Sequence, residues 1–152
     1  MSVRELLALW AGTLRELKGR GVVRTFNSPI GDVAEELVAL RFNGERGSFS
    51  QRTWDVRIGQ EYLQVKAIRR VSGRALRNLS PVRSDEGYDA VIAVVFTEDV
   101  RVEKAIRIER PVVNELFPVQ SHVNGRVIRL SKHLLEHDGV EEIPLSDSAL
   151  DD

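Results

Sequence analysis

The chain has 152 residues, which is enough for one domain with a single core and too little for two full domains. It has no cysteine, so disulfides, thiolate catalysis and cysteine-based zinc sites are excluded. No apolar run approaches the roughly 20 residues that a bilayer span needs, and the first residues do not resemble a signal peptide, so we expect a cytoplasmic protein without membrane contact. The net charge of -1 conceals an acid-free, arginine-rich stretch over residues 62–84, which favours an anionic partner.

The first predicted element is an amphipathic helix over residues 2–18. Its apolar positions recur at alternating steps of four and three residues, and they are Val3, Leu7, Trp10, Leu14 and Leu17. This stripe predicts a helix that covers a flank of a sheet. The same spacing also suits a contact with a second copy of the chain, and both interpretations stay open.

A second helix is predicted from Pro29 to about Phe42, because proline is favoured at the first helical position. Its apolar positions define a stripe that faces the core. Glu35 and Glu36 lie on opposite shoulders of this stripe, so we expect only one of them to reach the edge of the sheet.

Residues 52–66 form two alternating runs joined across Gly59-Gln60, a pattern that predicts a β-hairpin. Counting back from a two-residue loop places Asp55 opposite Gln64. Lys66 follows two residues later on the same face as Gln64. A carboxylate, an amide and an ammonium group are therefore expected to converge, although a polar face of this kind also suits an edge ribbon exposed to water.

Asp55, eight further residues and then Gln64-Val-Lys66 resemble the D-x(n)-(D/E/Q)-x-K signature of the PD-(D/E)XK nuclease superfamily. The variant is similar to the Gln-x-Lys form of Mrr-like restriction enzymes. The resemblance covers about residues 28–110, with Trp54 where the family name has its proline. It implies an α/β fold of the restriction endonuclease-like kind, with a mixed, mainly antiparallel sheet flanked by helices.

The resemblance also implies an activity, which is hydrolysis of DNA phosphodiester bonds with Mg²⁺ or Mn²⁺, in restriction, repair or phage defence. Lys66 would position or help to deprotonate the attacking water. The Gly-Asp-x-Ala-Glu run of the second helix resembles that of small family members and favours Glu35 over Glu36. The metal ligands implied are Asp55, Glu35, the side-chain oxygen of Gln64 and the carbonyl of Val65.

Two further interpretations accompany this one. The same fold can serve as a catalytically inactive module for DNA binding or assembly. A chain of this size would act either as a homodimer that cuts both strands or as a subunit of a larger defence or repair complex.

The segment after Lys66 is too polar for a core and predicts a loop. Its arginines are expected to contact the phosphate backbone of DNA, because such contacts give affinity without sequence preference. A loop that is merely solvated is the alternative. The candidate DNA-binding residues are Arg69, Arg70, Arg74, Arg77 and Arg83.

Residues 90–96 are continuously apolar and predict a central strand that is covered on both faces. One domain is predicted over residues 1–140, with an acidic tail over 141–152 that we expect to fray. His133 and His137 lie one helical turn apart but lack a third ligand, so the sequence does not predict zinc. The remaining predicted elements are a half-exposed strand over 100–108, a helix over 111–117, a hairpin at Asn124-Gly125 and a helix over 131–137.

Overall fold

The computed structural model describes residues 1–48, 53–76 and 78–151. A six-stranded sheet in the order β1-β2-β3-β4-β5-β8 has helices beside it, and a small two-stranded sheet pairs β6 with β7. Neighbouring strands of the large sheet are antiparallel except β3 and β4, which are parallel. The strands are β1 (Glu45–Arg46), β2 (Val56–Ile58), β3 (Glu61–Arg69), β4 (Ala90–Phe96), β5 (Val102–Glu109), β6 (Val119–Gln120), β7 (Gly125–Arg126) and β8 (Val140–Glu142). The helices are α1 (Val3–Gly19), α2 (Ile30–Phe42), α3 (Arg110–Leu116) and α4 (Lys132–Leu135), with a short 3₁₀ helix over Ser148–Leu150.

Strand β4 is the centre of the sheet, and every one of its residues is buried. Its side chains alternate between two apolar clusters, one on each face of the sheet. One cluster contains the inward residues of α2, and the other contains residues of α3 and α4. The predicted central strand and the predicted mixed, mainly antiparallel sheet are therefore confirmed.

The hairpin of β2 and β3 has the predicted register over three pairs, which are Ile58–Glu61, Arg57–Tyr62 and Val56–Leu63. The pair predicted between Asp55 and Gln64 is not part of this register. Strand β2 begins at Val56, and the N–H group of Asp55 instead donates to the Leu63 carbonyl at 2.8 Å. Asp55 thus lies just outside the regular ladder.

Helix α2 begins one residue after Pro29 and ends at Phe42, followed by Asn43 in a left-handed conformation. It packs on β3 and buries Val33, Ala34 and Leu37 of its predicted apolar stripe, together with Val38, which lies outside that stripe. These side chains pack against one face of the sheet. This packing holds α2 on β3 and so fixes where the other side chains of α2 lie.

Helix α1 differs from its predicted role as a cover for the sheet. Leu14 is buried, but Val3, Leu7 and Trp10 of the same stripe are 74%, 60% and 58% exposed. The apolar cluster on the α2 side of the sheet contains side chains of α2, and from α1 only Leu17 packs against it. None of the helices among the described residues is long and apolar enough to cross a membrane.

Part of the carboxyl-terminal stretch over residues 141–152, predicted to fray, is paired with the domain instead. Strand β8 adds to the edge of β5. The Asp147 carboxylate accepts a hydrogen bond from the Val102 N–H group at 2.6 Å and forms an ion pair with Arg101. The sequence shows the acidic residues, whereas the open edge of β5 that receives them exists only in the folded sheet.

Candidate active site

The Asp55 carboxylate lies at the edge of β3, at a position where the backbone of a neighbouring strand would otherwise pair. The Val65 N–H group donates to its Oδ2 atom at 2.8 Å, at the point where the backbone of β2 no longer pairs. The N–H and C=O groups of a strand residue point to the same edge, so the Val65 carbonyl also points toward this edge. The side chain of Asp55 therefore lies in the plane of the sheet, where groups from both faces can approach it.

Helix α2 places Glu35 beside Asp55. Both side chains line a cavity of about 150 Å³, together with Asp32, Arg24 and Trp54. Burial raises the pKa of Glu35 to about 6, and the nearby charge of Asp55 contributes to this rise. Of the two glutamates on the shoulders of the helix, Glu35 is the one that lines this cavity.

The Lys66 side chain lies close enough to interact with both carboxylates. Its Nζ atom donates to the Pro81 carbonyl at 3.3 Å. Burial lowers the pKa of Lys66, while the negative charges of Asp55 and Glu35 raise it. Burial likewise raises the pKa of Asp55, against the opposing effects of the Val65 N–H group and the Lys66 charge. The structure thus brings three predicted site residues together, which are Glu35, Asp55 and Lys66.

Gln64 is buried, and its amide nitrogen donates to the Thr53 carbonyl at 3.0 Å. This bond ties β3 to the segment that leads into Asp55. It uses the nitrogen of the side chain and does not involve the amide oxygen, which is the atom predicted to bind metal. The contacts of Gln64 therefore show a positioning role, and its role as a ligand stays a prediction.

Arg46 is a site residue that sequence reasoning missed. Its guanidinium group, with a side chain only 10% exposed, pairs with Glu36 at 3.0 Å and with Asp32 and Glu35 at 3.3 Å. These acids are spaced three and four residues apart, so they lie on one side of α2. That spacing is a signal for a cation facing the helix, but nothing local in the sequence indicates that Arg46 is this cation.

Arg24 adds a second cation that the sequence did not indicate. Its backbone N–H group donates to Asp32 at 2.8 Å, and its guanidinium group donates to the Gly47 carbonyl at 2.5 Å. The carboxylates beside Asp55 are therefore partly neutralised by arginines of the same domain. Burial outweighs this effect, so the pKa values of Glu35 and Asp55 are still raised.

The residues around Asp55 fit a lightly coordinated divalent cation. Among residues 1–48, 53–76 and 78–151, no group of three or more His, Cys, Asp or Glu residues could hold a metal ion. Mg²⁺, however, commonly binds to one or two carboxylates and completes its shell with water and substrate phosphate. Glu35 and Asp55, with the Val65 carbonyl at the same edge, match this type of site, and a cation there would relieve the repulsion between the two acids.

The predicted DNA-binding arginines have different surroundings. Arg83 is exposed, and its charge acts on Lys66, so it lies near the candidate site. Arg69 and Arg74 are exposed, whereas the guanidinium group of Arg70 forms a two-point ion pair with Glu103. Arg77 lies outside the described residues. Arg70 is thus already engaged within the domain.

Comparison with protein-family models gives no match for this chain, and comparison with curated proteins gives none either. The likeness to PD-(D/E)XK nucleases therefore depends on the motif residues and on the geometry around Asp55. It stays a prediction.

Proposed function

We propose that this protein is a Mg²⁺- or Mn²⁺-dependent deoxyribonuclease with a restriction endonuclease-like fold. The observation that carries the proposal is the Asp55 carboxylate, which the Val65 N–H group fixes at the edge of β3 beside Glu35 and Lys66. A helix, a hairpin and a buried strand follow each other in the order that the family resemblance implies. Two acids and a lysine around one sheet edge can serve phosphodiester hydrolysis.

Glu35 and Asp55 would hold the divalent cation, with the Val65 carbonyl and the Gln64 side-chain oxygen as further ligands. When bound, the cation would polarise the phosphate and lower the pKa of a water molecule. Lys66 donates a hydrogen bond toward the attacking water or the phosphate oxygen, where its charge offsets the charge that develops during the reaction. Arg46 pairs with Asp32, Glu35 and Glu36, so the cation would share Glu35 with this guanidinium group.

Incubation of the purified protein with plasmid DNA, with Mg²⁺ or Mn²⁺ and beside a chelator control, tests this proposal. We expect nicked or linear DNA only in the presence of the metal. DNA that stays intact with both metals, over a range of protein concentrations, would overturn the nuclease proposal.

A second candidate function is a DNA-binding or assembly module of the same fold without catalysis. It is favoured by Arg46, because this buried guanidinium group already compensates Glu35. Plasmid that is retarded in a gel but not cut would assign the chain to this class. The same gel therefore separates the two candidates.

The proposed partner is DNA, which Arg69, Arg74 and Arg83 would contact through phosphates. Replacing these three with alanine should weaken binding of all sequences alike and reduce the slope of log affinity against log salt by roughly 0.7 to 0.9 per lost contact. Arg70→Ala is the matched control, because its ion pair with Glu103 withholds it from phosphate. A triple variant with the salt slope of the wild type would contradict these contacts.

We further propose that α1 pairs with α1 of a second copy, which would give two active sites for two DNA strands. Six apolar side chains at its start are between 52% and 82% exposed, and they are Met1, Val3, Leu6, Leu7, Leu9 and Trp10. At roughly 100 Å² each, two copies would bury about 1,200 Å², the lower bound for a stable interface. Leu7→Lys should then give a monomer in sedimentation velocity, whereas Ala8→Lys should not, and a monomeric wild type would exclude this dimer.

A further inference from the structure

A second cavity, of about 300 Å³, adjoins the candidate active site on the other side of Trp54. Trp54 lines both cavities. The second cavity has an aromatic, a cationic and an acidic side chain in its wall, which are Tyr62, Arg110 and Asp89. None of these residues has a part in the proposed hydrolysis, so the cavity has chemistry of its own.

The aromatic residue Tyr62 in the wall lies on the same face of β3 as Lys66, the proposed catalytic lysine. The ring centroids of Trp54 and Tyr62 are 5.3 Å apart with an interplanar angle of 56°, and Tyr62 is 36% exposed. Residues of a strand alternate between its faces, so Tyr62 shares a face of β3 with Gln64 and Lys66. Four residues of strand separate Tyr62 from Lys66 by roughly 13 Å, a distance that a few nucleotides of one DNA strand can span.

Arg110 supplies the cationic part of the wall. It is half-buried at the start of α3, and among residues 1–48, 53–76 and 78–151 its side chain makes no hydrogen bond or ion pair. The other half-buried arginines of this part of the chain all have side-chain partners, and they are Arg24, Arg46, Arg57, Arg70, Arg107 and Arg126. A partly desolvated guanidinium group that the domain leaves unpaired is suited to an anion from outside, and phosphate matches its geometry.

Asp89 supplies an acceptor that the backbone holds in place. One carboxylate oxygen accepts the Tyr62 N–H group at 2.8 Å, and the Asp89 N–H group donates to the Tyr62 carbonyl at 2.7 Å. Just before it, Gly87 has a φ of +82°, and a Cβ atom there would lie 2.8 Å from that of Thr53. This close approach requires glycine and brings the loop against the segment that carries Trp54.

We propose that this cavity binds an unpaired base of single-stranded DNA, stacked on Trp54 or Tyr62, with Asp89 at its amino edge and Arg110 on an adjacent phosphate. Aromatic rings are the usual platforms for unstacked bases, and a carboxylate accepts from the N4 amino group of cytosine. A base within a duplex presents no free ring face to such a wall. The inference rests on the proposed action on DNA and adds to it a contact with a nucleotide that is unpaired, or becomes unpaired, near the cut.

The test uses the fluorescence of Trp54 in the full chain carrying Trp10→Phe, which leaves Trp54 as the remaining tryptophan. Short oligodeoxycytidylate is titrated in the presence of a chelator, beside a strand of equal length made of abasic deoxyribose units. We expect quenching by the strand with bases and weaker binding of the abasic strand, by roughly 5- to 150-fold for one stacked base.

The variants Tyr62→Leu and Arg110→Ala should lose affinity for oligodeoxycytidylate, while Tyr62→Phe should keep it because stacking needs only the ring. Arg4→Ala is the matched control, since it removes an exposed arginine of α1 and should leave affinity unchanged. Equal binding of the abasic strand, or wild-type affinity in both Tyr62→Leu and Arg110→Ala, would overturn the base site.

These outcomes are distinguishable from failure of the nuclease proposal. A protein that cuts no DNA but binds bases through this cavity would keep the present inference and lose the catalytic one. A protein that cuts duplex plasmid with metal, while abasic and base-bearing strands bind equally, would keep catalysis and lose the base site.

Discussion

The two cavities on either side of Trp54 handle charge in opposite ways. Around the cavity beside Asp55, acids and arginines of the domain already form ion pairs, and the single residue Arg46 contacts three carboxylates. In the cavity beside Tyr62, Arg110 has no partner among the described residues. The first cavity is therefore an internally compensated charge network, and the second presents its charge to a ligand.

Substitutions at the two cavities should therefore have different effects on stability and on binding. Removing one member of the compensated network leaves other buried charges unpaired, so stability and metal binding are expected to change together. Removing Arg110 from the second cavity leaves no orphan charge, so only ligand binding is expected to change.

Lys66→Ala tests the catalytic role proposed for the cavity beside Asp55. It removes the cation next to Asp55 and Glu35, so we expect cleavage to fall by at least about 100- to 1,000-fold, because the group acts mainly in the transition state. DNA affinity in a gel shift should change little. Lys132→Ala, at an exposed lysine, is the control, and a Lys66→Ala protein that cuts at the wild-type rate would remove the lysine from the mechanism.

Arg46→Met and Arg110→Met compare the two arginines directly. Arg46→Met leaves three carboxylates without their shared cation, so we expect the free energy of unfolding in urea to fall by about 3 to 5 kcal/mol. Arg110→Met should change it by less than about 0.5 kcal/mol, because no internal pair is lost. Mg²⁺ should restore part of the stability of Arg46→Met if the carboxylates bind it. Equal losses in the two variants would refute the contrast.

The pH dependence of stability tests the raised pKa of Glu35. The pKa of Glu35 is raised to about 6 in the folded state from an ordinary value of 4.5, so the folded protein binds the proton more tightly. Stability should therefore fall as pH rises from about 4.5 to 6, by on the order of 2 kcal/mol, in the absence of metal.

Glu35→Gln cannot titrate and should lack this part of the slope. Urea unfolding of the wild type and Glu35→Gln at several pH values measures the difference between them. A difference that does not vary with pH would show that Glu35 has an ordinary pKa.

Gln64→Glu gives the smallest expected effect and tests whether Gln64 touches the metal. An added carboxylate beside Asp55 should lower the Mg²⁺ concentration for half-maximal cleavage on the order of tenfold. It also replaces the amide donor to Thr53 with an acceptor, so the metal-free variant should be less stable and should gain more stability from Mg²⁺ than the wild type. Superimposable Mg²⁺ titrations would mean that Gln64 only positions the segment before Asp55.

Local sequence patterns predicted the elements that carry the site. The apolar run over residues 90–96 predicted the central strand, and alternation around Gly59-Gln60 predicted the hairpin and its register. The stripe of α2 predicted its buried face. These predictions succeed because strand and helix periodicities are properties of neighbouring residues.

Contacts between distant segments were not predictable in the same way. Nothing local places Arg46 over the acids of α2 or leaves Arg110 unpaired, since both depend on how loops cross the sheet. The stripe of α1 has the same kind of periodicity as that of α2, yet it is largely exposed, and from α1 only Leu17 packs against the apolar cluster that contains the side chains of α2.

The sequence alone predicted that Asp55 and Lys66 would approach each other at β3, because strand alternation and a two-residue loop restrict the register of the hairpin. Only the tertiary structure decided that Asp55 leaves the ladder and accepts the Val65 N–H group in the plane of the sheet. That position depends on where β2 stops pairing, which is set by packing and hydrogen bonding of segments far apart in the chain. The charge around Asp55 and the cavity beside Tyr62 are decided in the same way, because burial and ion pairing are properties of the folded domain.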